Sequence, residues 1–306
     1  MQGTSTVEEV ARSERAAVRQ PTLTADLKEL TRARLNLMVV LTSAIGFVLA
    51  VRGPFPVLLF LHTVVGTALV AAGSSALNQV LEREVDARMK RTANRPIPSG
   101  RIHADWALGI GVGLSVVGLA QLTFLVNPLT AFLGALTLAG YLFIYTPMKR
   151  RTSLATVVGA IPGAIPPVMG WTALRGQIDL EAWALFGILF LWQLPHFLAI
   201  AWVYRSDYER GGLPMLPVVD PEGHATARQM ILYCSVLLPV SLLPTVLGMN
   251  GMLYFVFAVL LGILYLAYSF VFHQDRSNRA AMRLMIASVI YLPALLTAMM
   301  LDRVLS

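Results

Sequence analysis

Three oxygen-bearing side chains recur at every fourth position in the stretch N-x₃-E-x₃-D, as Asn78, Glu82 and Asp86. Helical positions four and eight apart share a face, so these side chains would converge if the chain is helical here. Carboxylates at that spacing repel each other, and a cation between them would remove the repulsion. One amide and two carboxylates suit Mg²⁺, which also takes the phosphate oxygens of a bound substrate. The alternative is an ordinary solvated helix end.

Basic residues follow these acids, in a loop that contains Pro96, Pro98 and Gly100. Guanidinium groups donate paired hydrogen bonds to phosphate oxygens, and their charge would stabilise a diphosphate as it leaves. Arg91 and Arg95 are one turn apart if the helix persists, so we expect both to contact such a group. The general bias of basic residues towards one side of a membrane would also place bases here.

A second concentration of polar groups lies in residues 192–218, at the end of a later apolar run. His196 and Asp207 differ by eleven positions, about three turns, so an unbroken helix would place them on one face. An ionisable residue in an apolar segment is a functional hypothesis by default. A histidine that is only hydrogen-bonded inside a helix bundle is the alternative.

A third polar group, Tyr145, Lys149 and Arg150, ends another apolar run, and the following run contains three prolines that we expect to kink or break its helix. Cys234 is the only cysteine of the chain. An intrachain disulfide and a thiolate metal cluster are therefore excluded.

Membrane helices are the elements that must position these residues. The chain is 56% hydrophobic and 13% charged, with a mean hydropathy of +0.66, which is too apolar for a soluble core of 306 residues. One span needs about 20 apolar residues, and lipid admits no other open structure than a helix. We predict an all-α polytopic membrane protein with nine transmembrane helices around a central cavity. The predicted spans are 36–52, 55–79, 105–126, 128–146, 153–173, 180–203, 227–248, 251–272 and 281–301.

The positions of the basic residues predict the orientation in the membrane. If loops alternate between the two sides, every Lys and Arg except Arg52, Arg175 and Arg303 lies on the side of the N-terminus. This asymmetry indicates a cytoplasmic N-terminus and an external C-terminus in a prokaryotic cell membrane. The net charge of +7 is thereby explained by orientation, and nucleic acid is not expected as a partner.

The N-terminal region differs from the rest in composition. Residues 1–29 are polar and are predicted to be a mobile cytoplasmic tail, and residues 30–306 to be the transmembrane domain. The tail is too long and too charged to open a signal peptide. A short amphipathic helix is expected near Leu27 and Leu30.

The stretch N-x₃-E-x₃-D-x₂-M-x-R-T-x₂-R-P resembles the first acidic motif of the intramembrane prenyltransferases of the UbiA superfamily. The segments WQLPHF and D-Y-x₂-G-G-L-P-M-L-P-V are similar to the branch of that superfamily that farnesylates haem B. The resemblance covers residues 30–303. It implies a bundle in which Mg²⁺ and farnesyl diphosphate meet haem B, among membrane lipid.

The resemblance also implies roles for individual residues. Asn78, Glu82 and Asp86 would hold Mg²⁺ and diphosphate from one side, and Asp207 from the other. Many superfamily members have two acids four apart in the second motif, but neither position four residues from Asp207 is acidic here, so one and two metal ions remain alternatives. The substrate contacts implied by the motifs are Arg91, Arg95, Tyr145, Lys149, Arg150 and His196.

The implied reaction leaves an allylic cation, which an apolar interior lined by aromatic rings would shield from water. A haem vinyl group would attack this cation and water would add, giving haem O, with a haem A synthase as the downstream partner. His196 is placed on the haem side, where iron ligation and a hydrogen bond to a helix carbonyl exposed by Pro195 are the alternatives.

Two other classes of function share some of these features. A UbiA-type enzyme with a quinone precursor or chlorophyllide as acceptor would carry the first motif but lack the WQLPHF and PMLPV segments. A transporter would also bury acids at helix breaks, but it would place charges near the middle of several spans.

Overall fold

The computed structural model describes residues 22–305 as a succession of helices. Nine helices of this described part are long and apolar enough to cross a membrane, and the short α1, α8 and α9 join or precede them. The helices are α1 (Leu23–Leu30), α2 (Ala33–Ala50), α3 (Val57–Arg88), α4 (Ala104–Leu125), α5 (Pro128–Met148), α6 (Ala155–Arg175), α7 (Leu180–Val203), α8 (Arg205–Arg210), α9 (Leu216–Val219), α10 (His224–Val246), α11 (Met252–Asp275) and α12 (Asn278–Leu305).

The predicted all-α membrane fold is confirmed, and each predicted span corresponds to one long helix. The largest difference is in α3, which continues to Arg88, well beyond the predicted end at residue 79. The apolar composition ends near residue 79, but the backbone continues as a helix. The whole N-x₃-E-x₃-D stretch therefore lies on the last turns of α3, at what we call the motif end of the bundle.

Close backbone approach joins the helices in pairs. Helix α3 packs along α4, and α2 packs along α6. A Cβ atom on Gly73 of α3 would come within 2.7 Å of the Gly111 carbonyl oxygen of α4, so only glycine fits there. Small residues that allow such approach are the usual basis of helix association in membranes.

Helices α6 and α7 form the centre of the bundle and are the most buried of the nine. Pro162, Pro166 and Pro167 are all buried inside α6, which nevertheless runs continuously from Ala155 to Arg175. Of the predicted kink or break at these prolines, the break does not occur. Helix α7 contacts α6 on one side and α10 and α12 on others.

Helix α1 packs on the motif end. Leu30 is fully buried, as expected for the amphipathic helix, and its carbonyl accepts a hydrogen bond from Gln79 of α3 at 2.8 Å. The guanidinium of Arg101 binds the Asp26 carboxylate at 2.9 Å. The predicted tail, residues 1–29, thus ends in a docked helix, and its first 21 residues lie outside the described part.

The opposite end of the bundle is closed by two neighbouring residues of α12, which we call the C-terminal clasp. Asp302 accepts hydrogen bonds from the backbone N–H groups of Gly251 and Tyr254, at the start of α11. Arg303 donates to the carbonyls of Leu49 and Val51, at the end of α2. These bonds satisfy backbone groups that a helix end leaves without partners.

Candidate functional site

The three side chains of the first motif share one buried face of α3. Asn78 is 0% exposed, Glu82 5% and Asp86 1%, whereas Glu84, between the two acids, is exposed. Burying two carboxylates four residues apart is costly unless cations compensate them. The contacts of each group show what compensates it.

Each acid of this face is held by a basic side chain from another segment. Nζ of Lys149 lies 2.7 Å from Oε1 of Glu82, and Nη1 of Arg95 lies 2.6 Å from Oδ2 of Asp86. Burial alone would lower the pKa of Lys149, but the Glu82 carboxylate holds it above its ordinary value. The cations expected between the acids are thus supplied by the chain itself in this structure.

Asn78 joins three segments at the base of the site. Its Oδ1 accepts a hydrogen bond from Nη2 of Arg32 at 3.0 Å and lies 3.4 Å from the Tyr141 hydroxyl. Its Nδ2 donates to Oγ1 of Thr146 at 3.1 Å. The amide is therefore fixed in one orientation, with its oxygen towards the basic groups.

Arg32 is a member of this site that the sequence did not reveal. It connects α1 to α2 with a φ of 47°, in the left-handed region that a non-glycine residue rarely adopts. Nη1 donates to the Tyr141 hydroxyl at 3.2 Å, while Nε is buried without a hydrogen-bond partner among the described residues. Burial lowers the pKa of Arg32, but Tyr141 and the carboxylates of Glu82 and Asp86 outweigh it and raise the pKa. Its only sequence signal was a charge next to an apolar run.

Helix α5 widens into a π-helix over Gly140–Tyr145, where it faces α3. Such π-helical turns occur most often at functional sites. The rings of Tyr141 and Tyr145 lie 5.3 Å apart, and Nζ of Lys149 lies 5.0 Å from the centre of the Tyr145 ring. The π-helix thereby orients the tyrosines and Lys149 towards the acids of α3.

The two arginines after α3 do not lie one helical turn apart, because the helix ends at Arg88 and Met89 is extended. Arg95 turns back to Asp86, whereas Arg91 is exposed and stacks over the rings of Tyr204 and Tyr208, at 5.3 and 6.0 Å. The sequence prediction of a common helical face was therefore wrong for this pair. The two guanidinium groups lie on different sides of the same turn.

Asp207 lies on α8, which packs against the end of α3. Its Oδ1 accepts a hydrogen bond from the backbone N–H of Lys90 at 3.2 Å and another from the guanidinium of Arg210, with which it forms an ion pair. Burial alone would raise the pKa of this carboxyl, but the bonds from Arg210 and Lys90 hold it below its ordinary value. The two acidic motifs thus meet at the segment that follows α3.

Helix α7 ends at Val203, so the unbroken helix assumed for His196 and Asp207 is not present. Nδ1 of His196 lies 2.6 Å from Oγ of Ser288 on α12. The predicted alternative, a bond to a carbonyl exposed by Pro195, is wrong, because the partner is a hydroxyl.

Arg150 is not paired with an acid of the site. Its guanidinium is exposed and donates to the Leu81 carbonyl at 3.1 Å. On the exposed face of α3, Glu84 and Arg88 are four residues apart, the spacing of a helical ion pair, but they form none within residues 22–305.

Together these residues form what we call the motif-end cluster. It combines hard oxygen donors with basic groups that now neutralise them, and no preformed group of three metal-binding His, Cys, Asp or Glu side chains occurs in the described part. A bound diphosphate would take over the basic groups and leave the oxygens for a hard cation. The members of the cluster are Arg32, Asn78, Glu82, Asp86, Arg95, Lys149 and Asp207.

Comparisons with known proteins agree with this geometry. Residues 39–292 match the UbiA prenyltransferase family. A protoheme IX farnesyltransferase of Solibacter usitatus (strain Ellin6076) is 49% identical over 287 residues, covering 91% of this chain and 98% of the relative. A protoheme IX farnesyltransferase of Koribacter versatilis (strain Ellin345) is 42% identical, covering 92% of this chain and 94% of the relative.

Solved structures share the fold at low sequence identity. A chain from work on a digeranylgeranylglyceryl phosphate synthase in membranes aligns with a TM-score of 0.76 at 16% identity, covering 92% of this chain and 98% of that chain. A UbiA homolog from Archaeoglobus fulgidus, bound to GPP and Mg²⁺, aligns with a TM-score of 0.64 at 16% identity, covering 90% of this chain and 99% of that chain.

Proposed function

Because this chain belongs to the UbiA prenyltransferase family, we propose that it transfers the farnesyl group of farnesyl diphosphate to a vinyl group of haem B. Water supplies the hydroxyl group of the product, and the products are haem O and diphosphate. The observation that carries the site assignment is the buried motif-end cluster, in which bases and oxygen ligands for one diphosphate meet. The relatives named protoheme IX farnesyltransferase support the choice of acceptor.

The basic members of the cluster bind the diphosphate and stabilise the charge that develops on it. Lys149 and Arg95 are positioned for this by Glu82 and Asp86, so they keep a fixed geometry before substrate arrives. Preorganised cations of this kind lower the barrier because they need no reorganisation during bond cleavage. Arg91, exposed over the rings of Tyr204 and Tyr208, extends the basic surface beyond the buried cluster.

The oxygen donors of the cluster fit Mg²⁺. Asn78, Glu82, Asp86 and Asp207 would hold it, with the remaining coordination positions taken by water and diphosphate. When bound, Mg²⁺ supplies Lewis-acid stabilisation of the leaving diphosphate. The Mg²⁺-bound UbiA homolog supports this assignment.

The bond between C1 of the farnesyl group and the diphosphate oxygen breaks with both electrons going to the oxygen. The vinyl group donates its electron pair to C1, and the resulting cation next to the haem ring takes the oxygen of water, which then loses a proton. Tyr141 and Tyr145 place π-electron density beside the diphosphate site, where it favours an allylic cation. His196 lies deeper in the bundle and is assigned to the haem side.

The proposed orientation places the motif end in the cytoplasm and the C-terminal clasp outside. Arg52, Arg175 and Arg303 lie at the clasp end, away from the other basic residues, as the positive-inside bias requires. The proposed catalytic domain begins near residue 30, and a haem A synthase is the proposed consumer of the product.

The decisive experiment is to incubate the purified protein with haem B, farnesyl diphosphate and Mg²⁺ and to detect haem O by mass spectrometry. Parallel reactions replace haem B by chlorophyllide or a quinone precursor. We expect haem O with haem B alone, no turnover in excess chelator, and recovery when Mg²⁺ is restored. Prenylation of another acceptor without haem O would replace the proposed substrate, and full activity in chelator would reject the metal.

A further inference from the structure

A buried serine lies between two helices and contacts the histidine of the haem side. Nδ1 of His196 on α7 is 2.6 Å from Oγ of Ser288 on α12. Ser288 is 0% exposed, and its hydroxyl is also 2.6 Å from the carbonyl oxygen of Met285. Both distances are those of strong hydrogen bonds.

These two contacts decide where the imidazole carries its hydrogen. A serine hydroxyl has one hydrogen and two lone pairs, and the Met285 carbonyl can only accept. Ser288 therefore donates to Met285, and the second contact requires a hydrogen on Nδ1 of His196 that is donated to Ser288. In the neutral imidazole the lone pair then lies on Nε2.

Trp192 fixes the plane of the same ring. Its indole and the imidazole are nearly parallel, with centroids 5.3 Å apart and an interplanar angle of 14°. The indole N–H donates to the carbonyl of Ser288 at 2.8 Å, so Ser288 holds both rings. Nε2 of His196 is neither hydrogen-bonded nor sealed from access among the described residues.

We infer that Ser288 is a positioning residue that presents the Nε2 lone pair of His196 to the iron of haem B. The inference rests on the proposed function, in which haem B is the acceptor substrate. Histidines that bind metals almost always donate their other ring N–H to an oxygen, which fixes the ring and raises its basicity. Ser288 is the oxygen in this position.

Binding of haem B to the purified full-length protein tests this role. Ser288→Ala removes the hydroxyl, Ser288→Thr keeps it, and Ser269→Ala is the matched control. Ser269 is also 0% exposed and donates to its own helix, to the Leu266 carbonyl at 2.6 Å, but it has no hydrogen bond to His196. Each protein is titrated with haem B while the Soret band is recorded, and its affinity for farnesyl diphosphate is measured in parallel.

Ser288→Ala should weaken haem B binding by about tenfold, the lower end for loss of such a partner, and should shift the Soret band. Its affinity for farnesyl diphosphate should stay unchanged. Ser288→Thr should restore both haem properties, and Ser269→Ala should match the wild type. In the double variant, Ser288→Ala should add little to His196→Ala, because Ser288 acts through His196.

The possible failures are distinguishable. A normal spectrum and affinity in Ser288→Ala, beside their loss in His196→Ala, would reject the role of Ser288 alone. Normal haem binding in both variants would reject iron ligation by His196, and with it the inference. Absence of haem O from the wild-type reaction would reject the proposed function. Ser288→Cys replaces Ser288→Ala if the alanine variant does not fold.

Discussion

Lys149 and Arg95 neutralise carboxylates that would otherwise be buried at the motif end without a partner. Glu82 and Asp86 each have a base within 2.7 Å. Removing one member of such a pair is strongly destabilising, whereas a change that preserves size and hydrogen bonding is not. Tests at the scale of single residues therefore need conservative substitutions.

Asp86→Asn should reduce turnover by about 10²-fold or more, the usual cost of losing one preorganised electrostatic contact. The amide can still accept a hydrogen bond from Arg95, so the protein should insert and fold. Turnover at saturating substrate is the measurement, with helix content from circular dichroism as the check on folding. The matched variant is Glu84→Gln on the exposed face, for which we expect wild-type turnover; equal loss in both would contradict the assignment of the buried face.

Arg32→Lys should lower activity by about tenfold or more, because a lysine cannot reproduce the fork that binds Asn78 and Tyr141. Arg276 provides the control, since it is the other described non-glycine residue with positive φ, at 45°. Arg276→Lys also places a lysine at a position with positive φ, but this position lies outside the motif-end cluster. Steady-state rates of the two variants should differ clearly, and similar rates would exclude a special role for Arg32.

The sequence predicted the acids of the site much better than their partners. A spacing of four residues is a local property of one helix, so the shared face of Asn78, Glu82 and Asp86 could be read from the pattern. The contacts of Arg32 and Tyr141 with Asn78 join residues 46 and 63 positions apart. No local periodicity carries that information.

At the scale of elements, the ends of two helices determine the geometry of the site, and the sequence pattern predicted neither end. The sequence has no proline between the end of α3 and Pro96, so nothing indicated that the helix stops at Arg88. The same is true of the break in the chain after Val203. Both breaks turn the motif residues towards each other in ways that continuous helices would not allow.

The importance of the π-helix in α5 can be tested by comparing two changes at Gly140, one that removes the residue and one that only enlarges its side chain. Deletion of Gly140 should convert the π-helix to an α-helix, because a π-helical turn accommodates one extra residue. Lys149 should keep its register, whereas Tyr141 would take the position of Gly140 and rotate by about 100°, one residue of an α-helix, away from Asn78. We expect loss of activity with retained helix content. Gly140→Ala keeps the residue count, and its Cβ would have no neighbour within 4 Å, so it should remain active. An active deletion variant would show that the register is not needed.

The contact that Asp207 of α8 makes with the end of α3 predicts how activity depends on pH. Because the lowered pKa of Asp207 keeps the carboxylate ionised, its hydrogen bonds stabilise the fold above the ordinary carboxyl pKa and are lost only as the pH falls through the lowered one. In Arg210→Ala, burial would raise this pKa. The acid limb of the pH–activity profile should therefore move to higher pH, and an unmoved limb would contradict the role of Arg210. Arg228→Ala serves as a control for loss of a positive charge.

For the whole molecule, hydropathy was sufficient to predict nine spans, because each span must be apolar along its own length. It could not predict which spans are neighbours, since lipid and protein interior favour the same residues. The pairing of α2 with α6 depends on close backbone approach, and the closure of the far end depends on two polar residues of α12.

Asp302→Ala should lower the thermal stability of the whole bundle without a direct effect on the motif end. It leaves the N–H groups of Gly251 and Tyr254 without their acceptor, at a cost of about 1–3 kcal/mol. Thermal unfolding in detergent is the measurement. Asp105→Ala, which removes an acid with an 85% exposed side chain, should leave the unfolding temperature unchanged.

The C-terminal clasp also sets an order in time for the maturation of the protein. Arg303 follows Leu49 by 254 residues. The carbonyl groups at the end of α2 therefore have no donor from Arg303 until nearly all of the bundle has been synthesised. At a translation rate of about 5–20 residues per second, this delay is on the order of 10–50 seconds. During this interval the carbonyl oxygens of Leu49 and Val51 lack the guanidinium group that they bind in the folded structure. Arg303 therefore completes the hydrogen bonding at the end of α2 only after the rest of the described bundle has been synthesised.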